Sequence, residues 1–202
     1  MKSTNFFLVT LASIFFLNNC GSKSNNDSVN NKDSLAINEN NISLLIESKT
    51  AGQIQIGQII GKIVIPDSQK LTTKKNSRNG EEGEVIEETV NTLAENGEEM
   101  LKIIGENNID EIYVVSPKYK TKDGIGVGSS VKEFMSAYPD GEILFSYIAG
   151  NFWLETKSVD VQFLLDIEDY TGAEDKLMDG DMVKIDIKQL KEGTKIKKIR
   201  IY

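Results

Sequence analysis

EVIEETVNTLAENGEEMLKIIGENNIDEIYVV, residues 84–115, is the stretch on which the fold turns. Val85 to Ala94 and Met100 to Ile104 are apolar-rich, β-branched runs on either side of Asn96-Gly97. That dipeptide tolerates the positive φ angles that a two-residue hairpin requires at both central positions. Asn107-Asn108 marks the next turn, and Ile109 to Val115 the next strand. The stretch therefore predicts a three-stranded antiparallel meander. A helix over 84–103 is the competing reading, since Val85, Glu88 and Leu93 do not oppose one.

Upstream, Ile42 to Ile46, Ile54 to Ile56 and Ile63 to Ile65 are short apolar runs around Gly57 and Gly61, with Pro66 ending the last. Lys70 to Gly83 is polar and reads as a loop carrying Lys74, Lys75 and Arg78. Downstream, Ser130 and Glu133 have capping-box spacing, so each can satisfy a free backbone N–H of a first helical turn. Val131, Phe134, Met135 and Tyr138 follow at i, i+3, i+4 and i+7, which gives the helix one apolar face; Pro139-Asp140-Gly141 stops it. Strands are expected at 143–148, 152–156 and 159–165, an irregular acidic segment from Asp166 to Gly193, and a closing strand from Ile196 to Ile201. The fold class that follows is α+β: mainly antiparallel sheet, with one short packed helix at about 130–138, in a single globular domain over 42–202.

The chain also repeats itself. Ile54-Gln-Ile56-Gly57-Gln-Ile-Ile60 and Ile125-Gly-Val127-Gly128-Ser-Ser-Val131 share one pattern at an offset of 71 residues. Each is followed by an Ile-x-x-Ile-x-(Val/Ile) strand, at Ile109–Val114 and Ile196–Ile201. Two related β-meander units account for this. The second half, with Gly124-Ile-Gly-Val-Gly128, a short helix, an aromatic hairpin, Val161-Gln-Phe163 and the closing strand, resembles a family of small enterobacterial lipoproteins, the YfeY type. The resemblance spans most of residues 50–202. It implies a fold and an envelope address and transfers no active site. The pattern is more loosely similar to lipoproteins of the outer-membrane barrel assembly machinery and to β-lactamase-inhibitor modules.

Composition excludes much chemistry. The 202 residues include no histidine and one cysteine, so a Ser-His-Asp triad, a Cys-His dyad, an imidazole-ligated metal and an intrachain disulfide are all ruled out. A net charge of −8 argues against nucleic-acid binding, which needs a basic surface. At the N-terminus, Lys2 precedes an apolar run from Phe6 to Leu17, too short to span a bilayer and of signal-peptide length. Leu17-Asn18-Asn19-Cys20 resembles a bacterial lipobox, in which the cysteine is acylated and the peptide before it removed. Residues 1–19 thus read as a lipoprotein signal peptide. Cys20 reads as the lipidation site, and residues 20–41, rich in Asn, Ser, Lys and Asp, as a flexible tether. Gly21, in place of the aspartate of inner-membrane retention, favours the outer membrane of a Gram-negative cell.

Candidate catalytic groups are few. Ser129-x-x-Lys132 has the spacing of penicillin-recognising enzymes at a helix start, but the Ser-Asp-Asn and Lys-Thr-Gly partners are missing. Ser130 as helix cap and Lys132 as a solvated cation account for the same residues. The Gly124–Gly128 run lacks the spacing of either phosphate loop. Residues 155–181 hold nine carboxylates against two lysines, and Asp175, Asp179 and Asp181 around Gly180 could offer oxygen ligands to calcium, outside the EF-hand pattern. Residues 182–202 are net basic by five. Aromatic residues gather at the Gly150 hairpin, where Tyr147, Phe152 and Trp153 are the expected partner-binding surface. The expectation is a non-catalytic binding or scaffold lipoprotein that needs no cofactor, meets the membrane through its lipid and another envelope protein through this patch. A periplasmic enzyme inhibitor and a Ser-Lys or carboxylate hydrolase are the alternatives.

Overall fold

A computed structural model describes residues 44–79, 85–178 and 180–202. The expected signal peptide, Cys20, the tether and Asp179 lie outside these residues. Among the described residues, thirteen strands and one α-helix follow in order: β1 Leu45–Glu47, β2 Thr50–Ala51, β3 Ile54–Gln55, β4 Gln69–Asn79, β5 Val85–Glu95, β6 Glu98–Ile104, β7 Glu111–Val114, β8 Lys120–Thr121, α1 Val131–Ala137, β9 Glu142–Ser146, β10 Asn151–Thr156, β11 Val159–Leu164, β12 Met182–Lys184 and β13 Lys198–Ile201. The large sheet runs β12-β9-β10-β11-β13-β7-β6-β5-β4, antiparallel throughout. A small sheet of order β3-β2-β1-β8 includes one parallel pair, β1 with β8.

The meander forms as its sequence predicts, and the helical alternative over 84–103 does not. Asn96 and Gly97 take φ of 53° and 85°, the mirror-image turn that matches strand twist. The expected loop at 70–83 is corrected: its residues up to Asn79 form β4, paired with β5 from Gln69↔Glu95 to Asn79↔Val85. β4 is an edge strand, and Thr72 to Ser77 are exposed, so lysines and threonines are stable there and also block edge-to-edge association. The β5–β6 ladder starts only at Val90↔Ile104, so residues 75–79 and 85–89 form a two-stranded ribbon beyond the sheet. Ile63 to Ile65 is not a strand. A 3-10 turn at Ile60–Lys62 precedes it, and Ile60, Ile63 and Ile65 reach the core without a ladder. The acidic segment after Asp166 is irregular as expected, apart from 3-10 turns and the short edge strand β12.

One face of the large sheet makes the core. Leu93, Leu101, Ile103, Ile112, Val114, Ile199 and Phe163 alternate inward and are buried. Helix α1 closes over them. Ser130 caps it: Glu133 N–H donates to Ser130 Oγ at 3.2 Å, and Ser130 N–H donates to the Glu133 carboxylate at 2.6 Å. Phe134, fully buried, sets its ring 5.1 Å from that of Tyr138 and 5.0 Å from that of Phe163. Tyr138 is also buried and donates its hydroxyl to Thr121 Oγ1 at 2.7 Å.

The repeat is visible in the hydrogen bonds. Gly57 N–H donates to Ile109 O at 2.8 Å, and Gly128 N–H to Ile196 O at 2.9 Å. Ile109 N–H returns to Gln58 O, and Ile196 N–H to Ser129 O, both at 2.9 Å. Ile60 N–H donates to Asn107 O as Val131 N–H does to Thr194 O. Gln58 Oε1 accepts from Gln55 N–H as Ser129 Oγ accepts from Gly126 N–H. Both glycines sit at positive φ, 81° and 85°. Each unit thus hooks a glycine turn onto the chain just before its closing strand, and each starts a helix or 3-10 turn three residues on. The closing strands β7 and β13 pair with one another, with Tyr113 opposite Arg200.

Candidate functional site

The outer face of the large sheet holds a second, smaller cluster. Trp153 lies between Leu144 on β9 and Leu164 on β11, its cross-strand partners, and all three are buried, with Tyr113 packed beside them. Trp153 is only 4% exposed, and its indole Nε1–H donates to Glu155 Oε2 at 3.0 Å. Lys198 Nζ sits 5.0 Å from the centre of the Tyr113 ring, a cation–π contact. Arg200 donates to Gln162 Oε1 at 3.2 Å and ion-pairs with Glu111, which also accepts from the Tyr113 hydroxyl at 2.9 Å. A hollow of about 210 Å³ opens here, with Trp153 and Leu164 in its lining, Tyr113, Lys198 and Arg200 toward the sheet centre, and Ala149 and Met182 toward the hairpin end.

Two of the three nominated contact residues are not at the surface. Strand β10 starts at Asn151, so Phe152 and Trp153 point to opposite faces. Phe152 is fully buried in the main core, 4.5 Å from the Phe145 ring and 5.2 Å from that of Tyr170. Trp153 shares its face with Leu144, not with Phe145. Only Tyr147 is exposed, at 58%. Strand β9 ends at Ser146, which leaves Tyr147 to Gly150 as the turn, with Gly150 at a φ of 60°. Trp153 fluorescence is therefore expected to be blue-shifted and poorly quenched by acrylamide; quenching as strong as that of a free indole would remove the outer-face cluster.

What the turn exposes instead is aliphatic. Ile148 is 81% exposed, and Met182 is 62% exposed beside it on β12, where it pairs with Ser146. Tyr147 N–H donates to Asp181 O at 3.3 Å, which ties the turn to the start of β12. Exposed Ile167 follows Leu165, whose N–H donates to Phe152 O on the neighbouring strand. Three large exposed apolar side chains, Tyr147, Ile148 and Met182, thus lie on the turn and the edge strand bonded to it. The sequence held one signal of this: Ile148 stands next to the Gly150 turn, past the last residue able to pair.

The other candidates are placed as follows. Ser129 is buried and its Oγ accepts from Gly126 N–H at 3.2 Å; Lys132 is exposed and ion-pairs with Glu192 at 3.4 Å. The two side chains are engaged separately. Asp175 and Asp181 are exposed, and among the described residues no three His, Cys, Asp or Glu side chains gather closely enough to hold a metal.

Burial, and then the hydrogen bond to Glu111, push the Tyr113 phenol up to about 12. Burial alone would raise Glu111; the bonds from Arg200 and Tyr113 outweigh it and hold the carboxyl below its usual range. Tyr113 stays neutral in the fold above the pH at which an unfolded tyrosine ionises. Its stabilising contribution is therefore complete below about pH 10 and lost between about pH 10 and 12. The urea midpoint should fall across that window more steeply in wild type than in Tyr113→Phe. Equal slopes would show that Tyr113 contributes nothing there.

No family model matches this sequence, and no curated protein matches it. Among solved structures, the fold is similar to that of the uncharacterized protein yfeY from Escherichia coli, with a TM-score of 0.52 at 15% identity, over 78% of this chain and 98% of that one. At that identity the likeness is one of fold alone.

Proposed function

We propose that this protein is a non-catalytic, lipid-anchored lipoprotein of a Gram-negative outer membrane, and that it binds another envelope protein through the exposed end of its second unit. The observation that carries the reading is the exposure of Tyr147, Ile148 and Met182 on the turn and the edge strand bonded to it, next to the 210 Å³ hollow that Met182 lines. Exposed apolar groups gathered in this way on a soluble body mark an interaction surface. The anchor is supported by Leu17-Asn18-Asn19-Cys20 directly after the apolar run. A projecting turn of this kind also suits insertion into an enzyme cleft, and the identity of the partner decides between scaffold and inhibitor.

The test is a photo-crosslinking residue at Ile148 in intact cells, with one at exposed Glu99 on the far hairpin as control. A discrete protein adduct at Ile148 that Met182→Asp abolishes is expected. No adduct, or the same adducts as at Glu99, would overturn the binding surface. Separately, Cys20→Ser is expected to release the protein from sedimenting membranes, and retention there would refute the anchor.

A further inference from the structure

A second hollow lies away from the hairpin end and shares no residue with it. It has a volume of about 380 Å³ and lies between the start of α1 and the segment 187–194. Small-ligand sites occupy roughly 300–1,000 Å³. Its apolar lining comes from Val131 and Leu190, both buried, and Ile187, half exposed at the mouth. Its charged lining is Lys132, Lys188, Lys191 and Glu192. Three cations against one anion are conspicuous on a chain of net charge −8.

The walls are held firmly. Val131 N–H donates to Thr194 O at 3.0 Å, and Lys191 N–H to Asp169 O at 2.8 Å. Asp186 caps the 3-10 turn Ile187–Gln189 by a capping box, so Ile187 and Lys188 keep a fixed place at the rim. The only ion pair at this rim among the described residues is Lys132 with Glu192, both side chains largely exposed. An apolar floor beneath a cationic rim complements a molecule with a hydrocarbon chain and an anionic head.

We propose that this hollow binds a single-chain anionic amphiphile: the hydrocarbon lies on Val131, Ile187 and Leu190, and a carboxylate or phosphate head is held by Lys188 and Lys191, with Lys132 released to it from Glu192. The size of the hollow favours one acyl chain over a protein partner, since it is lined by ten residues and a specific protein interface uses about 20–30 from each side.

The probe is laurate below its micelle concentration, titrated into the full chain carrying Cys20→Ser and followed by the methyl NMR signals of Val131, Ile187 and Leu190. Dodecyl maltoside supplies the same chain with a neutral head. Saturable shifts confined to these methyls, tighter for laurate, are expected. Lys188→Gln with Lys191→Gln should weaken laurate by about threefold to tenfold and leave dodecyl maltoside unchanged, while Glu192→Gln should strengthen laurate by about twofold. All three side chains are exposed, so an unchanged melting temperature separates the electrostatic effect from misfolding. Equal affinity for the two amphiphiles, shifts spread over the Ile148 region, or lysine variants without effect would overturn the site. So would lysine-dependent binding to anionic phospholipid vesicles without binding of monomeric laurate, which would make the rim a membrane-surface contact.

Discussion

Phe134→Ala is expected to destabilise the fold by about 3–5 kcal/mol, the range for emptying a large aromatic from a close-packed site. Phe134 is the residue through which α1 joins the sheet. It has no exposed surface, and both ring neighbours, Tyr138 and Phe163, are themselves buried. With seven residues, α1 is too short to be stable alone, so loss of this contact also weakens the helix. In a domain of this size the melting temperature should fall by about 6–20 °C. A fall no larger than that of a surface control, such as Lys132→Ala, would show that the helix does not depend on this packing.

Gly105→Ala is expected to cost about 3 kcal/mol or more, by a different route. Gly105 has a φ of 145°, open to glycine and strained for any other residue, and a Cβ there would overlap the backbone carbonyl of Asn108. The overlap is with main chain, which no rotamer change relieves. Gly105 also supports a buried polar group: its carbonyl accepts from Asn91 Nδ2 at 3.4 Å, while Asn91 Oδ1 accepts from Thr73 at 2.7 Å. Displacing the carbonyl leaves an amide unpaired inside the sheet. Gly97→Ala is the comparison, since Gly97 has open space around it and φ strain alone. If the denaturant midpoints of the two variants fall equally, the steric overlap is not the cause.

The elements legible in the sequence were those whose determinants are local. Asn96-Gly97 fixes its hairpin through backbone preference, and Ser130 with Glu133 fixes the start of α1 through two hydrogen bonds between neighbours. Strand β4 was not legible. Its residues become strand because β5 pairs with them, and at an edge they need no apolar face. The same cause misplaced the candidate surface. Tyr147, Phe152 and Trp153 are close in sequence, but a strand turns successive side chains to opposite faces, and the exact end of β9 decides which of them the turn exposes. The cationic hollow could not be read at all, because the start of α1 and the 187–194 segment meet only through tertiary hydrogen bonds.

The seam between β7 and β13 sets Tyr113 opposite Arg200, and these occupy the same position of the two repeated units. Antiparallel strands that oppose equivalent residues are what two identical chains form across a twofold axis. The fold thus has, within one polypeptide, the seam pattern of a homodimer of half-length chains. Joining the halves makes their association independent of concentration, and it frees each half to change alone. The seam uses that freedom. A true dimer would face arginine with arginine or tyrosine with tyrosine; here a cation and a phenol share one carboxylate, Glu111, an arrangement open only to halves that differ in sequence.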